Sequence, residues 1–93
     1  MFVHVVFMKF QESSSIASAK SRLETLPALV PSLQYLEVGI DVIHSERSWD
    51  LVLITRFKSE EGYREYAFDP NHQVVLKWLK TKLIESATVD YMQ

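Results

Sequence analysis

The chain has 93 residues, of which 47% are hydrophobic and 12% aromatic, and its formal net charge is -2 at pH 7. A chain of this length has room for one hydrophobic core, so we expect residues 1–93 to form a single domain. The lack of cysteine excludes a disulfide framework and a thiol nucleophile. Basic residues are scattered singly, which argues against nucleic acid as a partner. No apolar run reaches the ~20 residues of a membrane span, and the N-terminus lacks the features of a signal peptide, so we expect a cytoplasmic protein.

The first half of the chain predicts a strand, a helix and a second strand. Residues 2–10 are β-branched and aromatic, which favours a strand with alternating faces. Apolar residues at helical spacing predict a helix over 15–28, capped by the serines at 13–15 and ended by the prolines at 27 and 31. Alternating apolar residues predict a strand over 34–43, followed by a polar turn at 44–48.

The second half predicts a central strand, a helix in two pieces and a last strand. Residues 50–57 include an apolar run on both faces, which is typical of a central strand. Ser59 can cap a short helix that continues to Tyr66. Asp69 and Pro70 predict a new helix start, and an inner stripe that includes Leu83 extends this helix to about residue 85. Residues 87–91 complete a βαββαβ order, which favours a ferredoxin-like α+β fold with a four-stranded antiparallel sheet and helices on one face.

Two strands of this sheet are apolar on both faces, whereas the helices can cover only one face. An uncovered face of this character would be an oversized apolar patch. We therefore expect a homodimer in which two copies pack sheet against sheet.

The segment from Tyr66 to His72 is the leading candidate site. His72 lies in the first turn of the predicted helix, where the helix dipole disfavours imidazolium while Asp69 favours it. A neutral His72 is suited to general-base work, and Tyr66 is suited to donating a hydrogen bond to a carbonyl oxygen. The alternative is structural: His72 completes the helix cap, and Tyr66 packs beneath it. His4, inside the first strand, is either a satisfied core residue or part of the same pocket.

No tight ligand motif for a metal is present, since His4, Asp69 and His72 are far apart in sequence. No glycine-rich phosphate loop or nucleotide fingerprint is present either. We therefore expect no metal and no cofactor.

Several segments in order resemble the stress-responsive A/B barrel domain family of dimeric α/β-barrel proteins. The opening strand at 3–10 is similar to the start of that family, and so are the proline turn and strand at 30–39. Residues 50–53 and 57–59 are similar to its third strand and helix cap. Tyr66 followed by Asp69-Pro70-Asn71-His72 resembles its most specific signature, a tyrosine before a His-Pro-Ala-His-like turn.

Plant polyketide cyclases of this family use a tyrosine and a histidine at this signature for an aldol condensation. The resemblance therefore implies Tyr66 and His72 as catalytic residues and His4 as a pocket residue. The chain departs from the cyclases at Asp69, which replaces the first histidine of the signature, and at Leu51, where a pocket histidine is expected.

The resemblance and the pattern together predict a cleft between sheet and helices, with His4, Leu51 and Phe68 as ligand-binding residues beside Tyr66 and His72. We expect a small, partly apolar, oxygenated carbonyl compound as the ligand, with acid–base chemistry of a cyclase or lyase. A non-catalytic, stress-related binding module is the alternative. A haem-degrading monooxygenase is a weaker alternative, and would use His72 as the haem ligand.

Overall fold

The computed structural model describes all residues 1–93 and confirms the ferredoxin-like α+β fold. Four strands and four helices alternate in the expected order, with the first and second helical regions each divided in two. The elements are β1 (Phe2–Phe10), α1 (Ser14–Leu23), α2 (Leu26–Leu29), β2 (Tyr35–Ile40), β3 (Leu51–Phe57), α3 (Glu60–Phe68), α4 (Pro70–Lys80) and β4 (Leu83–Met92).

The strands form one antiparallel sheet in the order β2-β3-β1-β4. The first strand is central and pairs with both β3 and β4. In its register, His4 lies opposite Thr55 of β3 and opposite Asp90 of β4. This pairing places residues from the two ends of the chain side by side, which determines the geometry of the candidate site.

The helices cover one face of the sheet, and the core lies between the two layers. Residues of both layers belong to one buried cluster, which includes Met8, Leu53 and Phe57 from the strands and Leu23 and Leu79 from the helices. The opposite face, which we call the open face, carries mainly apolar side chains. Its members by register and alternation include Val3, Val5, Phe7, Val52, Ile54, Ala87, Val89 and Tyr91.

Two of the expected helix caps are confirmed, and a third is wrong. The Ser59 side chain accepts a hydrogen bond from the Gly62 N–H at 3.4 Å at the start of α3. The Asp69 carboxylate accepts one from the Asn71 N–H at 2.8 Å, and Pro70 occupies the first helical position of α4. Ser13 precedes α1, but its side chain makes no cap hydrogen bond because its backbone is already helical.

Several predicted boundaries need correction. The helix expected over 15–28 is divided into α1 and α2, and the strand expected over 34–43 ends at Ile40. The helix expected to reach residue 85 ends at Lys80, and Leu83 belongs to β4, where it lies opposite Phe10 in the ladder with β1. The last strand is therefore longer than the predicted 87–91, because strand pairing overrides a helical apolar spacing that happens to continue through Leu83.

The loop between β2 and β3 contains a backbone conformation that few residues other than glycine adopt. His44 has a φ of 57°, and the carboxylate of Asp41, three residues earlier, accepts its backbone N–H at 2.6 Å. This hydrogen bond helps to hold the left-handed conformation. The expected polar turn is thus present as a loop from residue 41 to residue 50.

None of the four helices has both the length and the apolar character required to cross a membrane.

Candidate functional site

The break between α3 and α4 brings Tyr66 and His72 together. Tyr66 lies near the end of α3, and His72 lies in the first turn of α4. Because the Asp69 cap and Pro70 reverse the chain between them, the two rings lie 4.1 Å apart between centroids, with 33° between their planes. A tyrosine and a histidine six positions apart in sequence thus form one contact.

Tyr66 is almost wholly buried, yet its hydroxyl has no hydrogen-bond partner within the protomer. The residue is 1% exposed and packs against Phe57 with 5.1 Å between ring centroids. Burial raises the pKa of Tyr66 far above its ordinary value, and the neighbouring Tyr63 adds to the effect. The hydroxyl therefore stays protonated at neutral pH, and it is available as a hydrogen-bond donor.

His72 is half-buried, and its Nδ1 lies 3.4 Å from the carbonyl oxygen of Ala67. Burial lowers the pKa of His72 below its ordinary value, and nearby His4 acts in the same direction, whereas the Ala67 carbonyl and Asp69 oppose the change. Because the net direction is downward, the neutral imidazole predominates at pH 7. A neutral imidazole can accept a proton, which is the requirement for a general base.

His4 lies in β1 and is held by residues of β4. Its Nδ1 is hydrogen-bonded to the Asp90 carboxylate of β4, and the Thr88 hydroxyl lies 3.5 Å from the same nitrogen. The Thr88 hydroxyl in turn donates to the Val5 carbonyl at 2.9 Å. The carboxylate favours a proton on His4 Nδ1 and leaves Nε2 as the free ring nitrogen.

Tyr63 of α3 links His4 to the aromatic core. Its ring lies 4.8 Å from the His4 ring and 5.0 Å from the Phe2 ring, between centroids. Burial raises the pKa of Tyr63, as does the negative charge of Asp90. We use the name histidine cluster for His4, Tyr63, Tyr66, His72 and Asp90.

The structure brings Tyr66 and His72 into contact and places His4 against Tyr63 of the same helix as Tyr66, but it places two other predicted residues elsewhere. Phe68 is 80% exposed at the end of α3, whereas Leu51 is 1% exposed in the core. Leu51 lies opposite Met8 in the ladder, four positions along β1 from His4. Two surface clefts, with volumes of about 350 and 320 Å³, are both lined by residues outside the histidine cluster.

Sequence reasoning missed Tyr63 and Asp90. A signal for Asp90 is present in β4, where Ser86, Thr88 and Asp90 alternate with apolar residues. This pattern predicts a polar face of β4. The position of Asp90 opposite His4, however, depends on the pairing register of β1 and β4, which are far apart in the chain. No group of three or more histidine, aspartate or glutamate side chains is arranged to hold a metal ion.

Comparison with protein families identifies the fold family. The family model of the stress-responsive A/B barrel domain (Dabb) matches residues 2–93. The chain belongs to this family. A comparison with curated proteins gives no match.

Solved structures with this fold include proteins of different activity. A dimeric protein of unknown function with a ferredoxin-like fold from Bacteroides fragilis is 26% identical, with a TM-score of 0.88 and coverage of 99% of this Dabb chain and 95% of that chain. The hydroxynitrile lyase from Passiflora edulis is 13% identical, with a TM-score of 0.86 and coverage of 99% and 92%. An antibiotic biosynthesis monooxygenase is 8% identical, with a TM-score of 0.77 and coverage of 100% and 98%.

Proposed function

We propose that this Dabb protein binds a small, partly apolar carbonyl compound at the histidine cluster and acts on it by acid–base chemistry. The observation that carries the proposal is the contact between a buried tyrosine whose hydroxyl lacks a partner and a histidine whose pKa is lowered. A donor that stays protonated and a base that stays neutral are complementary groups for proton transfer next to a carbonyl.

In the proposed reaction, His72 removes a proton from the carbon next to the carbonyl group, and the electron pair of that C–H bond forms an enolate. The Tyr66 hydroxyl donates a hydrogen bond to the carbonyl oxygen, where the negative charge develops. Asp90 holds His4 in one orientation on the sheet side, so that its free nitrogen can position the ligand. The enolate then either attacks a second carbonyl, whose oxygen takes the proton back from His72 as the new C–C bond forms, as in the addition step of an aldol condensation, or itself recovers the proton from His72.

The same fold is found in a hydroxynitrile lyase, a likeness that at 13% identity concerns the fold alone. Cleavage of a hydroxynitrile could use the same base, with the Tyr66 hydroxyl as hydrogen-bond donor to the oxygen of the substrate. A base takes the hydroxyl proton, the C–C bond to the nitrile carbon breaks, and the bonding pair leaves as cyanide while the carbonyl forms.

Exchange of the proton next to a carbonyl in deuterated water tests the proposal without knowledge of the natural substrate. Phenylacetone serves as the ketone probe and mandelonitrile as the hydroxynitrile probe, both followed by NMR. We expect the protein to accelerate reaction of at least one probe, and we expect His72→Ala and Tyr66→Phe each to reduce that rate by about a hundredfold or more. His44→Ala, which changes an exposed histidine in the β2–β3 loop, serves as the matched control and should keep the full rate.

A second function, non-catalytic binding of the same ligand class, is favoured by the near-complete burial of Tyr66. In that case the ligand pairs with the Tyr66 hydroxyl without reacting. The two substitutions then change the affinity alone, and no probe is turned over by the wild-type protein. Absence of both turnover and binding in the folded protein would contradict both functions.

We infer further that the working unit is a homodimer formed through the open face. Val89 and Tyr91 on this face are 57% and 45% exposed in the protomer. Burial of such apolar area contributes ~25 cal/mol per Å². The similar protein from Bacteroides fragilis is described as dimeric, which supports a dimer here.

A further inference from the structure

The loop between β2 and β3 presents two apolar side chains to solvent. Val42 and Ile43 are 81% and 75% exposed, which places them among the three most exposed large apolar residues of the chain. Turns usually carry glycine, proline, asparagine, aspartate or serine, so an adjacent pair of β-branched apolar residues is unusual there. We call residues 41–50 the arm, and Val42 with Ile43 its tip. The proposed ligand site makes no use of either.

Hydrogen bonds within the arm give it a defined shape. At its base, the Asp41 N–H donates to the Asp50 carbonyl at 3.0 Å. Next to the tip, the Asp41 carboxylate accepts the His44 N–H at 2.6 Å. Further along, the Ser45 N–H donates to Ser48 Oγ at 3.0 Å. The backbone on both sides of the tip is thus restrained before any partner binds, which reduces the entropy lost on binding.

The foot of the arm lies over the open face of the sheet. The Trp49 ring lies 6.3 Å from the Phe7 ring between centroids, and the Lys9 ammonium lies 4.8 Å from the centroid of the Trp49 ring. Phe7 and Lys9 share one side of β1, which is the side of the open face. Trp49 and Arg47 also line a cleft of about 350 Å³ together with Val52 of the open face. The arm therefore rises on the side of the sheet away from the helices.

This position favours a second copy of the chain as the partner of the tip. Packing of sheet against sheet brings the partner protomer onto the open face, and hence beside the arm. The cleft at the foot of the arm then lies inside the interface, where empty space next to apolar atoms loses packing contacts. An apolar projection at the border of this face continues the apolar surface that the dimer buries.

We propose that the arm of each protomer packs its tip against the other protomer in the homodimer. The inference rests on the sheet-to-sheet dimer proposed above and adds a contact to it. Because a two-fold dimer repeats each contact, the two tips together contribute four apolar side chains to the interface. The arms also limit how the two sheets can be offset, since each protomer has to fit beside the arm of the other.

The dissociation constant of the dimer, measured by sedimentation over a dilution series, tests the proposal. Val42→Ser and Ile43→Ser should each raise this constant about tenfold, and the double variant should raise it about a hundredfold. Val74→Ser is the matched control: it removes an apolar side chain that is 67% exposed on α4, in the helix layer, and should leave the constant unchanged. If the dimer is too tight for dilution, the rate of exchange between unlabelled and ¹⁵N-labelled protomers, measured by native mass spectrometry, should rank the variants in the same order.

Cross-linking provides a second measurement that does not depend on weakening the dimer. The chain has no cysteine, so Ile43→Cys can be modified with benzophenone maleimide at that position alone. In a mixed dimer of unlabelled and ¹⁵N-labelled chains, irradiation should join the probe to a peptide of the other protomer. The same probe on Val74→Cys should give no cross-link between protomers.

The outcomes separate the arm contact from the dimer itself. A dimeric wild type with an unchanged dissociation constant in the double variant would overturn the arm contact and leave the open-face dimer in place. Cross-links from position 43 that stay within one protomer would have the same meaning. A monomeric wild type would overturn both the dimer and the arm contact.

Discussion

Removal of a single oxygen atom, in Tyr66→Phe, is expected to raise the stability of the protein and reduce its activity at the same time. The Tyr66 side chain is 1% exposed, and its hydroxyl has no partner in the protomer. A buried hydroxyl without a hydrogen bond costs about 1–3 kcal/mol. Phenylalanine fills the same space without that cost, so we expect the free energy of unfolding to increase by ~1 kcal/mol or more.

Thermal unfolding at a fixed protein concentration measures this change. For a domain of this size, 1 kcal/mol corresponds to a shift in Tm of ~4–8 °C. The concentration is held constant because dissociation of a dimer would otherwise change Tm by itself. Tyr63→Phe is the matched control: it makes the same chemical change on the same helix, where the side chain is partly exposed, and we expect a change within ~0.5 kcal/mol.

A decrease in Tm for Tyr66→Phe would show that the hydroxyl is hydrogen-bonded in the free protein, and the main support for the proposed site would be lost. An increase in Tm with undiminished turnover would show that the hydroxyl is not the donor in the reaction. An increase in Tm with lost turnover or lost ligand affinity is the expected result, since functional groups are often kept at the expense of stability.

Three further predictions concern the cap, the open face and the histidine. Asp69→Ala should lower the free energy of unfolding by ~1 kcal/mol in urea titrations, whereas Asp69→Asn, which retains a capping oxygen, should lower it only slightly. If Asp69→Ala unfolds as the wild type does but loses activity, Asp69 has a functional role instead. Val5→Asp should dissociate or unfold the proposed dimer in sedimentation experiments. Val74→Asp, at an exposed position of α4, should leave the dimer intact. A folded wild-type monomer at low micromolar concentration would contradict the dimer. His72 should titrate by NMR below its ordinary pKa. Because the unfolded chain then binds the proton of His72 more tightly than the folded protein does, the contribution of His72 to stability is complete above pH ~6.5 and is lost as the pH falls through the folded pKa. If the stability of His72→Gln declines equally over this pH range, His72 is not the group responsible.

Local signals in the sequence predict the fold well. The alternation of β1, the Asp69-Pro70 helix start and the Ser59 cap depend on neighbouring residues alone, and all three are found in the structure. The predicted end of α4 and the predicted start of β4 are wrong, because the apolar spacing of α4 continues by coincidence to Leu83. Leu83 pairs instead with Phe10, which is distant in sequence, and this pairing determines where β4 begins.

The candidate site was predictable only in part, for the same reason. Tyr66 and His72 lie on either side of a single chain reversal, so their approach follows from local structure. The contact of His4 with Asp90 joins residues 86 positions apart, and no local pattern contains the register that creates it. Phe68 could not be placed, because helical spacing alone does not show which side of α3 faces away from the sheet.

Consecutive residues of β1 lie on opposite faces of the sheet. His4 belongs to the histidine cluster, whereas Val3 and Val5 lie on the open face. An insertion or deletion of one residue inside β1 would exchange these two sets of side chains, because each step along a strand reverses the side. The proposed ligand site and the face proposed for self-association would then be lost in the same event. We therefore expect a length change in β1 near His4 to abolish any function that depends on these two faces, whereas we expect the exposed loop from residue 42 to residue 47 to tolerate such a change with both faces intact.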